Sequence, residues 1–347
     1  MSAYDSPGSV IAIGVVFPAL ATIAVALRFW ARRVQKAPLL IDDWLIVIAM
    51  VMTVGLEILT IIGVAGKGFG YHTAPPDTDE PDAYLYVVTR EHVLISKLIY
   101  ATQLMATLAF GATKLSIMYF YRRIFCTNSM STFFTKAITG VIYFLYIWIV
   151  AFSVGFIFDC GVEFWANWGP LINDFSYCYS TFGLTAGFTI IDVFSDLVII
   201  VLPIPTIWKL QMSLSRKIAI NFIFLLGTLT IITSVLRLTL FALWYFAGTD
   251  YLRDINIVYT EFIFWLTITS SLGIVTACLP TVQVALRKLP LEYLRAKFHS
   301  LRSSMRDTFS SSTRFQLDSN TTDPVPRVMH PRNQPNSLET AQPKLIQ

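Results

Sequence analysis

Seven stretches of this chain are long and apolar enough to cross a membrane, and they limit its fold more than any other feature. A helix needs about 20 mostly apolar residues to span a bilayer core. The predicted spans are Ser9–Phe29, Asp43–Val64, Val93–Phe120, Ala137–Phe158, Thr181–Trp208, Ile218–Leu243 and Tyr259–Leu286. Because a backbone in lipid must satisfy its own hydrogen bonds, each span is predicted to be helical. The predicted fold is therefore an all-α bundle of seven transmembrane helices over residues 9–288.

The composition agrees with a chain that lies mostly in lipid. Hydrophobic residues make up 55% of the sequence and charged residues 14%, whereas soluble domains carry about 25% charged residues. We therefore expect the lipid bilayer to be the main partner of this protein.

The positions of lysine and arginine predict the orientation, because these residues are retained in cytoplasmic loops. They concentrate in alternate connections and after the last span, at Arg28, Arg32, Arg33, Lys36, Arg122, Arg123, Lys136, Lys209, Arg216, Lys217, Arg287, Lys288, Arg295, Lys297, Arg302 and Arg306. Residues 1–8 are then a short extracellular amino terminus, and the carboxyl terminus is cytoplasmic. The net charge of +4 follows from this bias, so no nucleic-acid partner is expected. The predicted location is the plasma membrane.

The segment after the last span divides into two parts. Residues 289–309 place apolar side chains at steps of three or four, at Leu291, Leu294, Phe298, Leu301 and Met305. This spacing predicts an amphipathic helix on the membrane surface, and a basic linker is the alternative. Residues 310–347 are rich in serine, threonine, asparagine and proline, which predicts a disordered cytoplasmic tail.

Two of the four cysteines, Cys160 and Cys178, fall in the same predicted outer loop. Disulfides persist in the oxidising compartment that this loop would face. We therefore predict a Cys160–Cys178 disulfide that closes the loop into a lid, with two unpaired thiols as the alternative. The loop contains no histidine, and no metal site is expected.

Charged residues inside the spans are candidates for function, because a membrane interior makes them costly. Lys114 lies eight residues before Arg122, and its depth favours an ion pair with Asp42 or Asp43. Snorkelling and a switch role are the alternatives. Asp42, Asp43, Lys114 and Asp196 are thus predicted to form structural ion pairs.

Arg237 must also find a carboxylate, because a guanidinium group stays charged. Its candidate partners are Glu57, Asp192 and Asp196. Such a pairing can be a structural clamp or part of a binding site.

Two prolines lie near the inner end of the fifth span, at Pro203 and Pro205. Each removes a backbone donor and bends a helix. We predict a kink there, with a hinge as the alternative.

Several motifs resemble a known family. They are IDDWL at Ile41, ATKLSIMYFYRRIF at Ala112, EFW between the two loop cysteines, DLVIIVLPIPTIWKLQM at Asp196, LLGTLTIITSVLRL at Leu225 and ACLPT at Ala277. The chain resembles the fungal rhodopsin-domain integral membrane proteins of the satratoxin-cluster type, which are similar to receptor-like proteins of plant-pathogenic fungi. The resemblance covers about residues 8–288 and implies a multi-pass membrane protein.

The family name raises the question of retinal, which requires a lysine for its Schiff base. The predicted seventh span, Tyr259–Leu286, contains none. We therefore expect no retinal and no other cofactor. No catalytic residues stand out, because the spans contain no histidine cluster and no nucleophile motif, and the chain is not expected to be an enzyme.

The favoured interpretation is a seven-helix receptor-like sensor with a small-molecule ligand and a cytoplasmic signalling partner. Its predicted binding site is an aromatic cavity under the lid. The candidate ligand-binding residues are Glu57, Asp192, Arg237, Trp165, Trp168 and Trp265. The alternative is a small-molecule transporter, or a transport accessory, linked to secondary metabolism. A receptor predicts an outer cavity with an apolar floor, whereas transport predicts a polar path to the inner face.

Overall fold

A computed structural model gives the architecture of the chain, and it describes residues 6–73, 86, 88–125, 132–178, 181–204, 214–247 and 254–288. Seven long helices account for most of these residues. They are α1 (Pro7–Val34), α2 (Ile41–Ala65), α3 (Arg90–Phe125), α4 (Thr132–Ile157), α5 (Thr181–Val201), α6 (Leu214–Ala247) and α7 (Ile255–Lys288).

Within the described residues, all seven helices are long and apolar enough to cross a membrane. The prediction of an all-α bundle with seven spans is therefore confirmed. Side chains on the outer faces are exposed and apolar, as on α4, where Ile147 is 68% and Val150 is 61% exposed. Such faces suit contact with lipid. Which end lies outside the cell stays a prediction.

The helices pack in chain order and the bundle closes through α7. Each helix packs on the next along the chain, and α7 returns to pack on α1 and α2. α3 contacts α2, α4, α5 and α7, so its side chains reach most of the interior. Gly111 lets α4 approach α3 closely, because a Cβ atom there would lie 2.3 Å from Cγ1 of Ile149.

The outer loop holds a short 3-10 helix, Phe164–Trp168, and a short α-helix, Leu171–Tyr177. The predicted disulfide between Cys160 and Cys178 is present and closes this loop. We call this end of the bundle the disulfide end. The opposite end, where α1 meets α2 at Arg28 and Arg32, is the arginine end.

The fifth span was predicted to continue to Trp208 with a kink at two prolines, and the structure interrupts the helix at the first of them. α5 ends at Val201, and Leu202 and Pro203 form a turn. The helix ends because proline disfavours the helical conformation of the residue before it and supplies no backbone donor. Pro205 lies outside the described residues.

Several other predictions also fall outside the described part of the chain. These are residues 1–5 of the predicted extracellular amino terminus, the surface helix at 289–309 and the tail at 310–347.

Candidate functional site

Four charged side chains meet in the middle of the bundle, and we call them the charge cluster: Lys114 from α3, Asp192 and Asp196 from α5, and Arg237 from α6. The Lys114 Nζ atom lies 2.5 Å from Asp192 Oδ1 and 3.0 Å from Asp196 Oδ1. It also donates to the Ser195 hydroxyl at 2.6 Å. Arg237 Nη2 donates to Asp192 Oδ2. Two positive and two negative charges therefore cancel within one site that joins three helices.

The charge cluster is fully buried at its centre. Asp192 and Arg237 have no exposed surface, and Lys114 is 5% exposed. The Nε and Nη1 atoms of Arg237 have no hydrogen-bond partner in the described residues. Its guanidinium group instead stacks over the rings of Phe110, at 5.0 Å, and Phe188, at 5.9 Å, where the negative ring faces attract the cation.

The predicted pairing of Lys114 with Asp42 or Asp43 is wrong. Lys114 binds the α5 carboxylates, whereas Ser116, two residues further along α3, donates to the Asp42 carbonyl at 2.7 Å. Two residues are about 200° apart around a helix of 3.6 residues per turn. Lys114 therefore lies near the level of Asp42 but faces α5, and Ser116 faces α2.

Asp42 and Asp43 pair with two arginines of α1 that sequence reasoning did not assign to them. Arg28 places Nη2 2.7 Å from Asp42 Oδ2 and Nε 2.8 Å from Asp43 Oδ1. Arg32 lies 2.5 Å from Asp42 and 3.0 Å from Asp43. Arg28 also donates to the carbonyl of Ala277 at 2.7 Å. This double pair joins α1, α2 and α7 at the arginine end.

The structure does not bring Glu57 to the charge cluster. Glu57 is 4% exposed and forms no ion pair within the described residues. It lies beside Gly14 of α1, where an added Cβ atom would come 2.8 Å from Glu57 Oε2. Arg237 therefore takes Asp192 as its partner, and Glu57 belongs to the contact between α1 and α2.

The three candidate tryptophans lie apart from one another. Trp165, on the outer loop, is 48% exposed and packs 5.1 Å from the ring of Tyr177. Trp168 lies edge-on to Tyr100 at 6.2 Å, with the Lys97 ammonium 5.6 Å from its ring centre. Trp265, on α7, packs against Phe264. None of the three lines either of the cavities described below.

Other aromatic rings fill the space between the charge cluster and the disulfide end, and we call them the aromatic cluster: Phe110, Trp148, Phe152, Phe156 and Phe188. Phe188 is at its centre. Its ring centre lies 5.3 Å from Trp148, 5.6 Å from Phe152 and Phe156, and 6.2 Å from Phe110. Phe188 is 3% exposed and is packed in the core.

A small polar cavity, the lid cavity, lies at the disulfide end under the outer loop. Its volume is about 40 Å³, and it is lined by His92, Ser96, Ile99, Tyr100, Gln103, Phe156, Asp159, Asn167, Leu171, Thr181 and Tyr259. His92 Nε2 lies 3.0 Å from the carbonyl oxygen of Gly169 in the loop. A receptor cavity under the lid was predicted, but the structure builds this one from different residues.

The titratable carboxyl group of the lid cavity is Asp159, which follows the end of α4. Burial raises the pKa of Asp159, and a hydrogen bond from Thr181 opposes that rise. None of the cationic side chains in the described ranges forms an ion pair with it.

A larger cavity, the cluster cavity, lies on the other side of the aromatic cluster, between α3, α5, α6 and α7. Its volume is about 80 Å³. Its wall includes three members of the charge cluster, Lys114, Asp192 and Asp196. The other lining residues include Ile117, Tyr121, Ile199, Gly227, Thr230, Thr269, Ser270, Thr276 and Pro280. Three members of the charge cluster therefore face this cavity. The fourth member, Arg237, faces the aromatic rings.

The fungal rhodopsin domain matches residues 27–288. The chain belongs to this family. The expected resemblance is thus confirmed over the whole of α2 to α7.

Three fungal proteins are similar to this family member. A polyenoic acids biosynthesis gene cluster protein, Ba17b, of Metarhizium anisopliae is 28% identical over 79% of this chain and 72% of its own length. The phomoidride biosynthesis cluster protein H of a fungal species is 25% identical over 80% of this chain and 88% of its own.

The third relative is a SAT4 family membrane protein of Emericella nidulans. It is 27% identical over 71% of this chain and 59% of its own length. No solved structure matches the chain. The chain is thus a multi-pass membrane protein whose relatives include two that are named after biosynthetic clusters.

Proposed function

We propose that this protein is a receptor-like membrane sensor that binds a small molecule in the lid cavity and transmits occupancy of that cavity to the charge cluster. The supporting contacts form a continuous chain from the lid cavity to the charge cluster. Phe156 lines the lid cavity and packs 5.6 Å from Phe188. Phe188 lies beneath Arg237 at 5.9 Å, and Arg237 donates to Asp192.

The charge cluster suits a switch because three helices share it. Lys114 holds α3 to α5, and Arg237 holds α6 to α5. A ligand that moved Phe156 and Phe188 would change how Arg237 reaches Asp192. It would then favour one arrangement of α5 and α6 over another by a shift in population.

The remaining parts of the proposal follow from the sequence. The disulfide end faces the outside of the plasma membrane, the basic connections face a cytoplasmic signalling partner, and the protein binds its ligand without transforming it. Two relatives are named after biosynthetic clusters, so the proposed ligand is a small product of secondary metabolism.

A second candidate function is transport, and the position of the cluster cavity favours it. The lid cavity and the cluster cavity lie on opposite sides of the aromatic cluster. A carrier would open these two cavities in turn by moving the rings between them. Its cargo would belong to the same class of small metabolite.

A bulky side chain that fills the lid cavity tests the proposal that occupancy of this cavity is transmitted to the charge cluster. Ser96 is half-buried in the cavity wall, and Ser96→Trp would place a ring where a ligand would bind. An environment-sensitive fluorophore on Val201→Cys, which is 56% exposed at the end of α5, reports on the arginine end. The labelled protein has Cys126 and Cys278 replaced by alanine. We expect Ser96→Trp to shift the emission of the label.

Two further variants give the test its controls. Glu91→Trp adds the same ring to an exposed position five residues away on the same helix and is expected to leave the emission unchanged. Adding Phe188→Leu to Ser96→Trp is expected to abolish the shift, because the contact with Arg237 is lost. A folded Ser96→Trp protein with unchanged emission would show that the two ends are not coupled.

A further inference from the structure

We infer that the lid cavity selects a small ammonium cation, with Asp159 as its counter-ion. This inference rests on the proposed function, since it names the ligand class of the same cavity. It uses the one buried carboxylate of the outer-loop region that the structure leaves without a cationic partner in the described residues.

The burial of Asp159 is the first observation. Its side chain is 7% exposed and lines the cavity. A buried carboxylate is stable when a positive charge or several hydrogen bonds compensate it. Asp159 has the hydrogen bond from Thr181, and burial still raises its pKa. Its carboxylate therefore has capacity for a cation.

The nearby basic side chains, Lys97 and His92, contact other groups. Lys97 stacks on the ring of Trp168, with its ammonium 5.6 Å from the ring centre. His92 bonds to the carbonyl of Gly169 at 3.0 Å. The protein thus provides the anion and the cavity, and a ligand is free to provide the positive charge.

The remaining lining suits an ammonium group. Tyr100, Phe156 and Tyr259 contribute aromatic rings, whose faces attract cations. Gln103 and Ser96 contribute oxygen atoms that accept hydrogen bonds from N–H groups. A carboxylate, aromatic faces and neutral acceptors together favour a cation over an anion.

The cavity volume sets the size of the ligand group. A water molecule needs about 10–15 Å³ on this measure, so a cavity of about 40 Å³ holds a group of about three non-hydrogen atoms. Methylammonium fits this limit, and tetramethylammonium exceeds it. A larger metabolite would insert only its amine.

Thermal unfolding of the full chain in lipid nanodiscs tests the inference, with methylammonium chloride as the probe. Methanol at the same concentration controls for size, and sodium chloride controls for ionic strength. We expect methylammonium to raise the melting temperature in a saturable manner, by about 3 °C when its concentration is tenfold above the Kd. Methanol, sodium chloride and tetramethylammonium are expected to leave it unchanged.

Two variants locate the effect. Asp159→Asn removes the charge with little change of shape and is expected to abolish the rise. Asp254→Asn removes a carboxylate at the same end that pairs with His72 outside the cavity, and it is expected to respond as the wild type does. An equal rise in Asp159→Asn, or an equal rise with tetramethylammonium in the wild type, would overturn the assignment. The tetramethylammonium comparison needs no variant, so it stands even if Asp159→Asn fails to fold.

Failure of the ammonium-site inference can be distinguished from failure of the sensor proposal. If methylammonium has no effect but Ser96→Trp still shifts the label at Val201, the lid cavity is coupled to the charge cluster and takes a ligand of another class. If methylammonium binds but Ser96→Trp changes nothing, the cation site stands and the sensor does not.

Discussion

Asp192→Asn is expected to lower the free energy of unfolding by about 3 to 5 kcal/mol, the cost of breaking a buried ion pair by removing one partner. Asp192 has no exposed surface and accepts from both Lys114 and Arg237. The variant leaves two cations in the bundle with Asp196 as their remaining carboxylate. The measurement is reversible unfolding by SDS in mixed micelles.

Asp254→Asn serves as the matched control, because it removes the same charge from an exposed pair. Asp254 is 37% exposed and pairs with His72, and exposed pairs contribute about 0 to 1 kcal/mol. An Asp192→Asn protein as stable as Asp254→Asn would show that the charge cluster does not hold α3, α5 and α6 together.

The second large effect is expected at the arginine end. Arg28→Leu removes the bonds to Asp42, Asp43 and the carbonyl of Ala277, all in a buried site. Arg32 remains to balance two carboxylates, so one negative charge is left uncompensated. We expect a loss of about 3 to 5 kcal/mol in the same unfolding measurement.

Arg33→Leu is the control for this substitution. Arg33 is the neighbour of Arg32 on the same helix, but it is exposed, and exposed substitutions usually change stability by about 0.5 kcal/mol or less. If Arg28→Leu and Arg33→Leu are equally stable, the double pair does not join α1, α2 and α7.

The spans could be predicted because hydropathy and length are properties of each segment alone. The partners of charged residues could not, since pairing depends on the relative depth and rotation of separate helices. Lys114 illustrates this, because the rotation of α3 turns Lys114 toward Asp192 of α5, while Ser116 of the same helix contacts Asp42. The sequence did contain a signal for the ion pairs at the arginine end. Arg28 and Arg32 are four residues apart on α1, and a short connection brings α2 back to them.

The ligand site was the hardest part to predict. The outer cavity was expected from the disulfide, but its wall depends on which side chains pack away from it. One signal was available on α3, where His92, Ser96, Ile99 and Gln103 recur at steps of three and four and so share one helical face. Tryptophans near the membrane boundary gave no such signal, because that position suits aromatic residues in any membrane protein.

Accessibility of cysteines from each side of the membrane tests the central claim most directly. Ser96→Cys lies in the lid cavity and Thr276→Cys in the cluster cavity, each introduced in a chain without Cys126 and Cys278. A membrane-impermeant maleimide is added to sealed vesicles from the side of the disulfide end or from the opposite side. A sensor predicts that Ser96→Cys reacts only from the disulfide side and that Thr276→Cys never reacts from that side. Reaction of Thr276→Cys from both sides would mean that the two cavities open in turn, and would contradict the sensor in favour of a carrier.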